Sequence, residues 1–148
     1  MTRLLICAIL LLVSSVCFSE SALADIQRSH IEENVPSPGV FDKILERDLL
    51  AYFHKEIGKT ASNVKYRLLR EGPTQSGLAY PKYYLWVIVK NGSVNITEGA
   101  VRVEAIEKKR FEVTHFVSKE EIQKQPEQIT SIFPKLLIPS ILSAAGAQ

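Results

Sequence analysis

Between residues 41 and 57 the apolar positions Phe41, Ile44, Leu45, Leu49, Tyr52, Phe53 and Ile57 recur at spacings of three and four. That spacing gathers them on one stripe of a helix. Gly58 follows the last of them, where a glycine commonly ends a helix. Beyond it the period falls to two. Val64, Tyr66 and Leu68 alternate with Lys65 and Arg67, the mark of a half-buried strand. Residues 83–89 read as a second strand, followed by Asn91-Gly92, a strong hairpin signal. Residues 100–106 form a third, with Val101, Val103 and Ala105 on one side and Arg102 and Glu104 on the other. Lys108-Lys109 turns the chain and residues 111–117 return it. Short links between strands imply an antiparallel meander. The expected class is α+β: one long N-terminal helix packed on a curved antiparallel meander of about four strands, with short C-terminal helices.

The flanks differ from this centre. Residues 25–38 are polar, lack a hydrophobic period and end in Pro36-Ser37-Pro38 before Gly39, so they read as a flexible leader to a single domain over 39–148. After the last strand, Ser118 stands three residues before Glu121, the spacing of a capping box, and Val117 and Ile122 occupy the staple positions. A short helix is expected there. Pro126 suits the first turn of another. Pro134 and Pro139 divide the remainder into short pieces carrying Ile129, Ile132, Phe133, Leu136, Leu137, Ile141 and Leu142.

Residues 1–24 change the setting. Arg3, the apolar run over 4–18 and Ala22-Leu23-Ala24 have the layout of a signal peptide cleaved before Asp25. The run is shorter than the roughly 20 residues that span a bilayer, so no stable membrane anchor is expected and the mature chain is placed in the periplasm or secreted. Both cysteines, Cys7 and Cys17, leave with the signal. The mature domain is then free of disulfides and depends on its core. A composition of 46% hydrophobic and 23% charged residues excludes a disordered chain. The net charge of +2 offers no electrostatic basis for nucleic-acid binding.

The strand over 83–89 is apolar on both faces. Tyr83, Leu85, Val87 and Val89 suit the helix; Tyr84, Trp86 and Ile88 then form a second apolar face that needs a cover. The cover is either the C-terminal segment 129–142 or a protein partner, including a second copy of the chain.

A helix followed by a strand meander resembles the order of the cystatin-like fold over roughly residues 39–117, and of the cone-shaped domains similar to nuclear transport factor 2. Gly39 precedes the helix as a glycine does in inhibitory cystatins. Gln75-Ser76-Gly77-Leu78-Ala79 lies where those proteins carry Gln-x-Val-x-Gly, without its valine and last glycine. Their Pro-Trp has no counterpart, because Trp86 follows Leu85. The resemblance implies a helix-on-sheet domain that is a binding module, an inhibitor of an exported hydrolase acting through the loop 72–81, or a small isomerase- or dehydratase-type enzyme. For the last, His115 continues the Phe111 and Val113 alternation and can project inward, while Asp48, Tyr52 and Glu56 recur every four residues on the helix. A His115–Asp48 or His115–Glu56 pair would supply acid–base chemistry; a lone strand histidine bonded to a carbonyl is the structural alternative. His30, His54 and His115 are scattered, so neither a metal site nor a cofactor is expected. The expected role is that of an exported, non-enzymatic binding or assembly module with a protein partner outside the cytoplasm.

Overall fold

In the computed structural model, which describes residues 22–58 and 60–147, residues 22–34 form a helix (α1) and the chain then turns through Pro36 into a second helix, α2 (Pro38–Ile57). Helix α1 corrects the expectation of an aperiodic leader. Its least exposed positions are Gln27, His30, Ile31 and Asn34, which share one helical stripe. Three of the four are polar, so a hydrophobic period does not reveal them. Residues 1–21, with most of the expected signal segment, lie outside the described residues.

Pro38 sits in the first turn of α2, where its missing amide removes no bond, and Gly58 leaves the helix with φ 81°. Four strands follow: β1 (Asn63–Leu68), β2 (Lys82–Asn91), β3 (Val94–Ile106) and β4 (Arg110–Ser118). They pair in the order β1-β2-β3-β4, every pair antiparallel. The fold class is α+β, with helices packed on a four-stranded open sheet. The β2–β3 turn is made by Gly92 and Ser93, with φ 58° at the glycine. A glycine at the first turn position replaces the expected Asn-Gly centre, and Asn91 ends β2. Strand β3 also reaches back to Val94 rather than starting near Ala100.

The apolar stripe of α2 covers one face of the sheet, called inner below. Leu45, Leu49 and Phe53 pack on Tyr83, Leu85, Val87, Val89, Val101, Val103 and Phe111. Phe41 lies edge-on to both Tyr83 and Phe111, at 5.1 and 5.0 Å between ring centres. Side chains therefore fill the space between helix and sheet. Burial also pushes the Tyr83 phenol up to about 12.

The C-terminal segment covers the outer face. It comprises helix α3 (Lys119–Lys124), 3-10 turns at Pro126–Ser131 and Lys135–Leu137, and helix α4 (Ile138–Ala145). The capping box forms as expected: Ser118 Oγ accepts from the Glu121 amide at 3.3 Å, and Glu121 Oε2 accepts from the Ser118 amide at 2.8 Å. Val117 and Ile122 are both buried beneath it.

Helix α1 holds a strained corner. Glu107 and Lys108, in the β3–β4 turn, carry φ of 51° and 59°, a region costing a residue with a side chain about 1–2 kcal/mol. Asn34, the one polar residue buried among those described, receives both amides. Its Oδ1 accepts from Glu107 N at 3.0 Å and its carbonyl from Lys108 N at 2.8 Å.

Candidate functional site

Tyr84 and Trp86 lie beneath the chain's own tail, each 5% exposed, together with Ala100, Ile129, Phe133, Leu137 and Ile141. The Tyr84 ring tilts against Phe133 at 6.1 Å, and its hydroxyl shares a 2.8 Å hydrogen bond with Thr74 Oγ1. Of the two covers left open by the sequence, the C-terminal segment is the one in place. Tyr84 and Trp86 are thus not a free binding surface. Ile88 is half-buried at the margin of this cluster.

His115 does not project inward. The β3–β4 register slips between Arg102 and Val103, so that Val103 faces Val113 while Arg102 faces His115. Thr114 is the extra residue of this β-bulge, and each side chain beyond a bulge changes face. His115 therefore joins Arg102 on the outer face, and Phe116 takes the inner position, edge-on to Phe53 at 5.0 Å. The Arg102 guanidinium donates to Thr114 Oγ1 at 2.9 Å, to the Ile132 carbonyl of the tail at 3.2 Å and to His115 Nδ1 at 2.7 Å. His115 thus accepts as a neutral ring. Its pKa is lowered from 6.5, by desolvation first and then by Arg102, against an opposing pull from Glu104.

The sign of the resulting pH dependence follows from proton uptake. Just below pH 6.5 the unfolded chain binds more protons at this site than the folded one, so stability falls as pH drops through that window. It levels off below the folded-state value. Thermal melts between about pH 7.5 and about pH 5 are expected to show a larger loss for the wild type than for His115→Asn; parallel curves would remove His115 as the cause.

Asp48 lies on the other side of the sheet and has a structural task. Its Oδ2 accepts from the Phe111 amide at 2.6 Å and its Oδ1 from Arg47 Nε at 2.8 Å. Arg47 in turn donates to the Lys109 carbonyl at 2.8 Å. Helix α2 thereby takes the first outward amide of the β4 edge. Glu56 is exposed near the helix end, where its charge adds to the burial that raises the Tyr52 phenol. Neither carboxylate meets His115, so the acid–base pair required by the enzyme alternative is not formed. Replacing Asp48 by Ala leaves the Phe111 amide without its acceptor and is expected to cost about 1–3 kcal/mol. A lowered urea midpoint at unchanged slope checks this; unchanged stability would mean the edge does not need the carboxylate.

His54 is half-buried and its Nε2 donates to the Ala61 carbonyl at 2.6 Å. No group of three metal-ligating side chains occurs among the described residues, and no helix among them is long and apolar enough to cross a membrane.

The opposite edge of the sheet has no such cap among the described residues. Leu69 N donates to the Tyr84 carbonyl at 2.8 Å, in register with the 68–85 pair. By the alternation of an antiparallel ladder, the amides and carbonyls of Val64, Tyr66 and Leu68 then point away from β2. Among the described residues no backbone group meets them. Beside this edge runs a groove of about 1020 Å³ between β1 and α2, lined by Asp42, Glu46, Leu50, Tyr66 and Leu68. The Tyr66 hydroxyl donates across it to Asp42; burial and that carboxylate raise the phenol above its ordinary range. No sequence pattern marks this edge, because which strand ends up outermost depends on the pairing of all four.

The loop 72–81 is closed on itself. Gln75 Nε2 donates to the carbonyls of Gly77 (3.0 Å) and Ala79, and Thr74 pairs with Lys82. Leu78 stands at its tip, 78% exposed.

No protein-family model, curated protein or solved structure matches the chain.

Proposed function

We propose that the protein is an exported, non-enzymatic binding or assembly module of cystatin-like form, whose partner is a protein met in the periplasm or outside the cell. One observation carries this reading. Both faces of the sheet are packed by the chain's own helices, whereas the β1 edge and its groove are open. A surface of unpaired backbone groups beside a groove suits a polypeptide partner better than a small substrate, which an enclosed pocket would hold.

The test has two parts. Protein recovered from the cell envelope should begin at Asp25, read by N-terminal sequencing. The mature chain should capture a defined protein from that fraction. Retention of an uncut chain in the cytoplasm, or no capture by the wild type, would overturn the reading.

A second reading, inhibition of an exported hydrolase, is favoured by the loop 72–81. A loop braced by its own glutamine and carrying an exposed leucine has the pre-ordered form that limits the entropy lost on docking. Hydrolase assays with Leu78→Asp as control test it: inhibition lost in the variant supports it, and no inhibition at micromolar concentration ends it.

A further inference from the structure

Two edges terminate this sheet. At β4 a helix carboxylate takes the outward amide of Phe111. At β1 three consecutive outward positions, Val64, Tyr66 and Leu68, keep their backbone groups unpaired among the described residues. Asp42, a carboxylate of α2 on the same groove, is engaged by the Tyr66 hydroxyl instead. An edge of this kind is a template for another strand.

The charges beside it discriminate between occupants. On the outer face, Lys65 and Arg67 stand next to Ile88 and Trp86, and Lys90 lies diagonal to Lys65 across the strand pair. None of these three cations forms a salt bridge among the described residues. The carboxylate nearest in register, Glu98 opposite Ile88, is held by Lys119 at 2.5 Å. On the inner side the helix wall of the groove is mixed in charge, with Asp42 and Glu46 beside Lys43 and Arg47.

A second copy of the chain fits poorly. A two-fold antiparallel pairing that uses all three outward positions must set Tyr66 against Tyr66 and Val64 against Leu68. Each Lys65 then falls directly opposite an Arg67 of the other copy, on both sides of the axis. Like charges directly opposite in a ladder are unfavourable. The same two cations that deter self-pairing attract a strand with carboxylates on that face.

We infer that the β1 edge accepts an extended acidic segment of a protein partner as a fifth strand. Its carboxylates alternate with uncharged residues, the acids over Lys65 and Arg67 and the uncharged side chains against Leu50, Tyr66 and Leu68. Backbone bonds from Val64, Tyr66 and Leu68 provide the affinity, and the alternation provides the selectivity. This inference rests on the binding-module reading and names its surface and partner chemistry.

The probes are two end-blocked synthetic peptides of about seven residues, one alternating valine with glutamate and the other valine with lysine. The mature chain is expected to bind the glutamate peptide at least about tenfold more tightly than the lysine peptide. The preference should weaken as salt is raised. Hydrogen exchange at the amides of Val64, Tyr66 and Leu68 should slow on binding, while other surface amides are unchanged. Lys65→Glu with Arg67→Glu, both exposed positions, should reverse the preference. Leu68→Pro removes one outward amide without touching the β1–β2 ladder and should weaken binding of the glutamate peptide.

Equal affinity for the two peptides, or binding that leaves those three amides unprotected, overturns the inference. So does self-association at micromolar concentration that protects the same amides, which would make a second copy the occupant. Capture of an envelope protein that survives Lys65→Glu with Arg67→Glu also defeats it while leaving the module reading intact. Selective peptide binding without any envelope partner would do the reverse.

Discussion

Ending the chain after Gln125 is expected to yield a protein that aggregates or unfolds. The deletion removes Ile129, Phe133, Leu137 and Ile141, all buried, and uncovers Tyr84, Trp86, Ala100 and Val117. Full burial of a large apolar side chain is worth about 1.5–3 kcal/mol. Four such losses are on the scale of the whole stability of a domain, about 5–15 kcal/mol. The bare sheet would also present contiguous aromatic and aliphatic surface, which drives association. Arg102 loses its tail acceptor, the Ile132 carbonyl, at the same time. Size-exclusion chromatography and a fluorescent apolar dye check the outcome: the truncated chain should elute early and bind dye. A monomer with the melting temperature of the full chain would show that the tail contributes nothing to the outer face.

Gly99→Ala is expected to carry the next largest effect, although it adds a single methyl group. A Cβ at Gly99 would lie 2.3 Å from the Val117 carbonyl oxygen, 2.8 Å from Phe116 Cε2 and 2.8 Å from Ser118 Cα. Two of these neighbours are backbone atoms of the paired strand β4, which cannot yield without opening the ladder. A loss of about 3 kcal/mol is expected, at the upper end for an overpacked site. Adding Phe116→Leu frees the ring contact and leaves the carbonyl contact, so it should restore little. Chemical denaturation of the single and double variants checks this. Full recovery in the double variant would identify the ring, rather than the strand backbone, as the obstacle.

The glycine and the bulge belong to one arrangement. Because Thr114 is the extra residue, Phe116 turns inward and its ring lies over the place where Gly99 lacks a side chain. An aromatic across from a strand glycine compensates for the missing packing. The adjacent apolar residues Phe116 and Val117 were a visible sign that the alternation breaks near the end of β4. Phe116 now serves the inner core and Val117 the outer one. An unbroken alternation, with His115 following Phe111 and Val113 inward, missed that break and placed the histidine on the wrong face.

Helix α1 was missed for a different reason. Its least exposed stripe includes the polar Gln27, His30 and Asn34, and the placement of Asn34 follows from what it bonds rather than from apolarity. Asn34 is buried because Glu107 and Lys108, far along the chain, need acceptors for amides in a strained turn. Similarly, Asp48 looks in sequence like the start of a polar helix edge and proves to cap the first outward amide of β4.

The chain alone was sufficient for the α2 stripe, the four-strand meander, the capping box at Ser118 and the tail's fitness to cover Tyr84 and Trp86. These depend on spacing between near neighbours or on the total apolar area that must leave water, and both can be counted along a linear chain. The face occupied by His115, the capping of the Phe111 amide by Asp48 and the open edge at β1 were decided only on folding. Each follows from a register or an approach between distant segments, where a one-residue slip reverses every side chain beyond it while leaving the local spacing unchanged.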